Sequence, residues 1–434
     1  MSVTRNTHIE RADRPPVAGI VGARARRVLA ICCGVHALHD GYTDVLYVLL
    51  TLWRTEFRLG YAEVGLLRAL YTGAMAVFQV PVGLLAERIG TRGARYVLLA
   101  LGTGVAGLGY IAAGASTGFA LLAAALVFSG AGSSTQHPVG ADLVAYAHRD
   151  STSRRIALST YNFSGDLGKM AMPAAVAWTV TLLPWRSAAV LLGAVGVAAA
   201  CIVLPLLRRV WPDDSVTAAP SSHPHGTDAD AHAGGVPGED VRETRRYRGF
   251  PLLFTIGLID SATRMGFLTF LPFLLIAKGA TGPTIGLALS LIFAGGAAGK
   301  LLCGLFGARF GILATVLATE GLTAAGILAL LPSTLGAGLV LLPVLGVALN
   351  GTSSVLYGNV PALIPPARRT RAFGWFYTGT IGAGAVAPAL YGVVSDAAGV
   401  PATLTIVAGV VLLTLPLAWG LRQVLRASGE TASR

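Results

Sequence analysis

Hydrophobic residues dominate the chain in long runs, each ended by a short polar stretch or by glycine and proline. Most runs exceed the roughly 18 residues that a helix needs to cross a bilayer core. Apolar length and breakers predict spans over 28–52, 61–86, 94–114, 117–145, 155–182, 186–207, 250–276, 283–307, 311–331, 335–362, 371–394 and 400–422, about twelve in all. The pattern is that of an all-α integral membrane protein. Between spans six and seven the period disappears: residues 208–249 are rich in Pro, Gly, Ser, Asp and His and read as a disordered cytoplasmic linker. His223, His225 and His232 lie in it, and a solvated loop accounts for them without a metal. The expected organisation is a tail over 1–27, a six-helix bundle over 28–207, the linker, a second bundle over 250–422 and a tail over 423–434.

Composition agrees with this picture. The chain is 54% hydrophobic and 12% charged, with a mean hydropathy of +0.66, far from the average of a soluble domain. Its net charge of +12 does not point to nucleic acid, because the arginines sit in short clusters between the apolar runs. Arg88, Arg92 and Arg95, then Arg149, Arg154 and Arg155, then Arg309, then Arg368, Arg369 and Arg371 fall on one side. Only Arg54, Arg58, Arg186 and Lys278 fall on the other. The positive-inside rule then puts both termini in the cytoplasm of a cell membrane. The basic N-terminus leads into a long span without a cleavage signal and reads as uncleaved. Cys32, Cys33, Cys201 and Cys303 have no metal-ligand spacing and read as packing residues. No phosphate-binding loop, nucleophile elbow or zinc-protease helix is present. No enzyme activity, cofactor or metal is therefore expected.

The halves repeat. GLLAERIG at 83–90 matches GLFGARFG at 304–311, and LHDGYTD at 38–44 matches LIDSATR at 258–264, at nearly equal offsets. Two pseudo-symmetric six-helix bundles follow, with a site expected near mid-membrane between them.

Polar residues inside the spans locate that site. His36, Asp40, Thr43, Asp44 and Tyr47 fall within an arc of roughly 100° on a helix. A carboxylate at this depth faces a bundle interior or a wet cavity. It serves there either as a coupling group or as one member of a structural ion pair. Asp260 and Arg264 occupy the corresponding places in the second half. Asn162, Asp166 and Lys169 share a face of span five, and Lys300 lies in span eight. The chain has only three lysines, Lys169, Lys278 and Lys300, so the two intramembrane ones read as functional cations; a neutralising pair between Asp166 and Lys169 is the structural alternative. Arg68, Tyr71 and Glu320 are as readily helix contacts as ligands, and Tyr377, with Trp375 and Phe376, either stacks on a solute or packs.

GLLAERIGTR resembles the loop motif of the major facilitator superfamily, with Glu87 in place of the usual Asp. The degenerate copy keeps Arg309 but has Ala308 at the acidic place. The resemblance covers the whole chain and implies the major facilitator fold, with Gly83, Glu87, Arg88, Gly90, Arg92 and Arg309 latching the ends of the two halves. A narrower resemblance, through the H-x-x-x-D of span one and GAGSSTQHP at 130–138, is to the fosmidomycin-resistance exporters. Val139 stands where that group has an acidic residue, and the DLGK of span five has no counterpart in its pattern.

The expected function is proton-coupled secondary transport of a small organic solute or antibiotic by a monomer in the bilayer, with efflux favoured. Asp40, Asp44, His36 and Asp260 are expected to handle the proton. Arg264, Lys169, Asp166, Asn162, Lys300, Tyr47, His137 and Tyr377 are expected to face an anionic or polar solute. Proton-driven uptake of an organic anion and a non-transporting sensor of the same fold remain the alternatives.

Overall fold

In the computed structural model, residues 16–148, 150–212, 239–364 and 369–427 are described, and the described residues contain helices and no strand. Long helices alternate with short turns: α1 (Pro16–Phe57), α2 (Tyr61–Ile89), α3 (Arg92–Gly114), α4 (Phe119–Ser133), α5 (Ala141–Ala147), α6 (Ser151–Leu182) and α7 (Trp185–Val210) in the first half. The second half has α8 (Glu239–Ala277), α9 (Gly282–Phe310), α10 (Ile312–Leu330), α11 (Leu335–Leu363), α12 (Arg369–Ala398), α13 (Val400–Leu412) and α14 (Thr414–Ala427). A π-helical turn, Gln136–Gly140, joins α4 to α5, and α13 runs into α14 across Leu413. Each of these pairs forms one apolar helix, Phe119–Ala147 and Val400–Gln423. The chain is a multi-pass membrane protein, and with each joined pair taken as one its described residues hold the twelve long helices its pattern calls for.

Ten of the helices are long and apolar enough to cross a membrane on those grounds alone. The two outside that group are α1 and α6. They carry the polar stripe around Asp40 and the Asp166–Lys169 segment, which dilute their hydropathy while burial among other helices holds them in place. α1 begins at Pro16, within the stretch expected to be a tail. The expected linker lies largely outside the described residues; its edges continue α7 and open α8.

Within the first half α1 packs on α6 and α3 on α7; within the second α9 packs on α11 and α8 on α12. The halves meet through α2 against α12 and α6 against α9. A side chain at Gly65 would overlap the backbone of Pro388 and Ala389. Glycine there permits the close approach on which helix association in lipid depends, since lipid gives apolar contacts no solvent-driven advantage.

The inter-half contacts gather at the end carrying the 58–60 and 399 turns. Glu63 accepts the Gly60 N–H at 2.9 Å, while the Asp396 carboxylate of α12 accepts the Tyr61 N–H at 2.6 Å and the Ala62 N–H at 2.8 Å. The second half thus satisfies two of the N–H groups that the start of α2 leaves open. Tyr61 also packs edge-on against Phe270 and Phe273. Further along, Ser290 donates to the Met170 carbonyl at 2.6 Å. Beyond this contact, toward the arginine-rich end, Leu84, Ile156, Leu301, Leu305 and Trp375 are exposed.

Candidate functional site

The polar stripe of α1 faces α6, and glycines bring the two helices together. A side chain at Gly168 would overlap the Ala37 carbonyl, and one at Gly165 would overlap Asp40 and His36. The SGDLGK sequence of α6 thereby delivers Asp166 and Lys169 to the stripe. Lys169 Nζ lies 3.1 Å from Asp40 Oδ2 and 3.9 Å from Asp166 Oδ1.

Two histidines complete the surroundings of Asp40. His36 Nδ1 lies 2.7 Å from the Tyr161 carbonyl, which only accepts, so the proton of the neutral ring sits on Nδ1 and Nε2 is left with its lone pair. That Nε2 is 3.5 Å from Asp40 Oδ1 and is buried with no hydrogen-bond partner. The ring stacks on Tyr161 at 4.1 Å. His137 belongs to the π-helical turn, whose irregular winding brings its Nε2 to 3.9 Å from Asp40 Oδ1. The turn is pinned to α6, where Gln136 Nε2 donates to the Tyr161 hydroxyl at 2.8 Å and that hydroxyl donates to the Gln136 carbonyl at 3.0 Å. His36, Asp40 and His137 place one ligand atom each within 4.8 Å of one another, a donor set that suits a divalent cation in kind. The Lys169 ammonium already supplies the positive charge beside that carboxylate, so the cluster is better described as an acid among nitrogen bases.

Asp44 has a different partner. Arg68 of α2, fully buried, reaches Asp44 Oδ1 at 3.5 Å and the Tyr47 hydroxyl at 2.9 Å, and donates to the Thr43 carbonyl. Its guanidinium lies 4.4 Å from the Tyr47 ring centroid, so Tyr47 serves as a platform for the arginine. Arg68 carried little weight in the sequence, where nothing in α2 shows that it meets Asp44. His39 points away from the stripe, to Ser133 at 3.2 Å and Thr103 at 3.0 Å.

Asp166 crosses between the halves. Lys300 Nζ of α9 lies 2.6 and 2.7 Å from its two carboxylate oxygens. The side chains of Lys300, His137 and Lys169 retain 40, 34 and 31% exposure, whereas those of Asp40 and Asp166 retain 11 and 10%. The bases thus face open space and the acids lie behind them. Asn162 is exposed a turn nearer the end of α6. Tyr377 has its ring 6.3 Å from that of Tyr357. In the second half Asp260 and Glu320 are buried, and Arg264 is half-buried near both.

The model of the Major Facilitator Superfamily matches residues 32–274 and 253–433. The chain belongs to that superfamily. It is a membrane transporter, not an enzyme. No match is found among the curated proteins. Among solved structures, a bacterial homologue of the human lysosomal transporter Spinster, inward-facing and unoccupied, superposes with a TM-score of 0.72 at 15% identity over 94% of this chain and 99% of the other. The same homologue in an occupied inward-facing state gives 0.72 at 15% identity over 94% and 98%. The nucleoside transporter NupG gives 0.68 at 14% identity over 92% and 99%. At these identities the likeness concerns the fold.

The superfamily loop motif lies at the arginine-rich end. Gly90 closes α2 in the left-handed conformation with φ 72°, and Gly83 lies beside Pro138 of the π-helical turn. Glu87 and Arg88 are exposed. Arg92 stacks 4.9 Å from the Trp211 ring, and Arg309 lies 5.7 Å from that of Phe310. Arg95 pairs with Asp142 at 2.6 Å at this end, which ties α3 to α5 within one half.

Proposed function

We propose that the chain is a proton-coupled secondary transporter of a small anionic or polar organic solute, working by alternating access as a monomer in the cell membrane with both termini in the cytoplasm. The observation that carries this reading is the position of Asp40, buried behind Lys169 and within 4 Å of one ammonium and two imidazoles. Asp40 is the coupling acid, with His36 and His137 beside it and Asp44 and Asp260 as further carboxylates on the path. Lys169 and Lys300, with Arg264, Tyr377 and Asn162 at the margins, present positive charge and polar groups to the solute. Glu87, Arg88 and Arg309 latch the arginine-rich end when the halves close there.

Resemblance to the fosmidomycin-resistance exporters favours efflux. One geometric observation favours uptake instead. Asp40 and an anionic solute compete for Lys169, and a proton on Asp40 releases the lysine, so proton and anion bind together and move in one direction. In proteoliposomes, Asp40→Asn keeps the side-chain volume and removes the titratable proton. Solute counterflow is expected to persist and accumulation driven by a pH gradient to disappear. The sign of proton flux accompanying solute in the wild type separates efflux by exchange from co-transport. Wild-type gradient-driven accumulation in Asp40→Asn would exclude the coupling role.

A further inference from the structure

The Asp40 carboxylate has two different sides. Oδ2 takes the Lys169 ammonium at 3.1 Å, while Oδ1 faces His36 Nε2 at 3.5 Å and His137 Nε2 at 3.9 Å. Because His36 Nδ1 is committed to the Tyr161 carbonyl at 2.7 Å, the lone pair of Nε2 points at an oxygen that also carries only lone pairs. Two acceptors so placed repel each other unless a cation lies between them. His36 is 2% exposed, and its Nε2 is shut off from solvent with no hydrogen-bond partner among the described residues. Metal-binding histidines are held in this way: the ring nitrogen away from the site donates to a carbonyl, which fixes the tautomer and aims the other lone pair. The three ligand atoms lie within 4.8 Å of one another. Zinc bonds to nitrogen and oxygen run about 2.0–2.2 Å, which places tetrahedral neighbours about 3.3–3.6 Å apart. The two recorded separations from Oδ1 are close to that range. His137, whose side chain is 34% exposed, has room to close the third.

We propose that His36, Asp40 and His137 form a binding site for one divalent transition-metal ion of the zinc class, with the fourth position open toward the space that His137 faces. Two imidazoles and one carboxylate select such an ion over magnesium or calcium, which take oxygen ligands. Lys169 is the internal competitor for Asp40. Its Nζ also has Asp166 Oδ1 at 3.9 Å, a second carboxylate to turn to when a doubly charged ion takes the first. All three ligands belong to the N-terminal half, so the site is complete without the other. Binding stands whether or not Asp40 is the coupling acid; on that reading, the ion would also keep the carboxylate from its proton.

The test uses the full chain, without a histidine tag, in lipid nanodiscs, with His8, His223, His225 and His232 of the tail and linker replaced by serine. Calorimetric titration with zinc chloride is expected to show one ion per chain, undisturbed by excess magnesium. X-ray absorption at the zinc edge should show two imidazoles and no sulfur ligand. His36→Gln, His137→Gln and Asp40→Asn should each weaken binding by about tenfold or more. Lys169→Gln should tighten it by roughly tenfold or more, since it removes a positive charge beside the ion. The spectrum is read with all three ligands and Lys169 intact, so it decides even where a single variant fails to fold. No bound zinc, a spectrum without two imidazoles, or an affinity unchanged in both histidine variants would overturn the site. An affinity that Lys169→Gln leaves unchanged would place the ion elsewhere and overturn it equally.

Discussion

Asp396→Asn tests whether the clamp at the start of α2 holds one conformation of the transporter. The carboxylate accepts two backbone N–H groups of the other half, and it lies where the positive end of the α2 dipole emerges. Asparagine keeps one acceptor oxygen and loses the charge. A side-chain cap on a helix N-terminus contributes about 0.5–2 kcal/mol, and the exposure of Asp396 places it toward the middle of that range through screening, about 1–1.5 kcal/mol. The bonds exist only while this end is closed, so their loss shifts the equilibrium between conformations by the same amount, roughly five- to twelvefold. Spin labels at positions 59 and 398, one on each half, report the opening as a change in distance distribution in reconstituted protein. The short-distance population should fall relative to the widely separated one by about that factor, with little change in the stability of either half. A distribution unchanged to within twofold would show that these bonds do not bias the equilibrium and would refute the assignment.

The Arg68–Asp44 pair and the membrane orientation give two further outcomes. Arg68→Ala strands Asp44 beside an unfilled space and should cost about 3–5 kcal/mol, seen as a lower melting temperature; Arg68→Met with Asp44→Asn should recover most of the loss, and a double variant as unstable as the single one would contradict the pairing. Cysteines at positions 230 and 434 should be shielded from an impermeant thiol reagent in intact cells and one at position 57 labelled, whereas labelling at 230 would reverse the orientation.

The parts of this molecule visible in the sequence are those set by local periodicity. Ten of the helices follow from apolar length alone, α1 and α6 from apolar runs interrupted by polar stripes, and the stripe from His36 to Tyr47 follows from the helical repeat, which also turns His39 away toward Ser133. The repeat of LHDGYTD as LIDSATR places Asp260 and Arg264 opposite Asp40 and Asp44. What the sequence hides is the choice of partner. The sequence offers Lys169 either as a neutralising partner of Asp166 or as a solute ligand, yet the glycine contact at Gly168 brings it to Asp40, while Asp166 turns to Lys300 more than a hundred residues away. Arg68 looks isolated on its own helix because its partners Thr43, Asp44 and Tyr47 lie on α1. Asn162 shares the helical face of Asp166, but a full turn nearer the helix end, where it is exposed.

The pairing of Asp40, Asp44 and Asp166 with Lys169, Arg68 and Lys300 has an electrical consequence. A unit charge moved through a membrane potential of 100 mV changes energy by about 2.3 kcal/mol, enough to bias any rocking motion that carried an unbalanced carboxylate or ammonium across the field. With each charge cancelled by a neighbour that moves with it or sits beside the pivot, the empty carrier presents almost no net charge to the voltage. Whatever voltage dependence the cycle has then belongs to what the carrier moves. A steady-state current would report the charge of the cargo directly, and the return of the unloaded protein would be electrically silent.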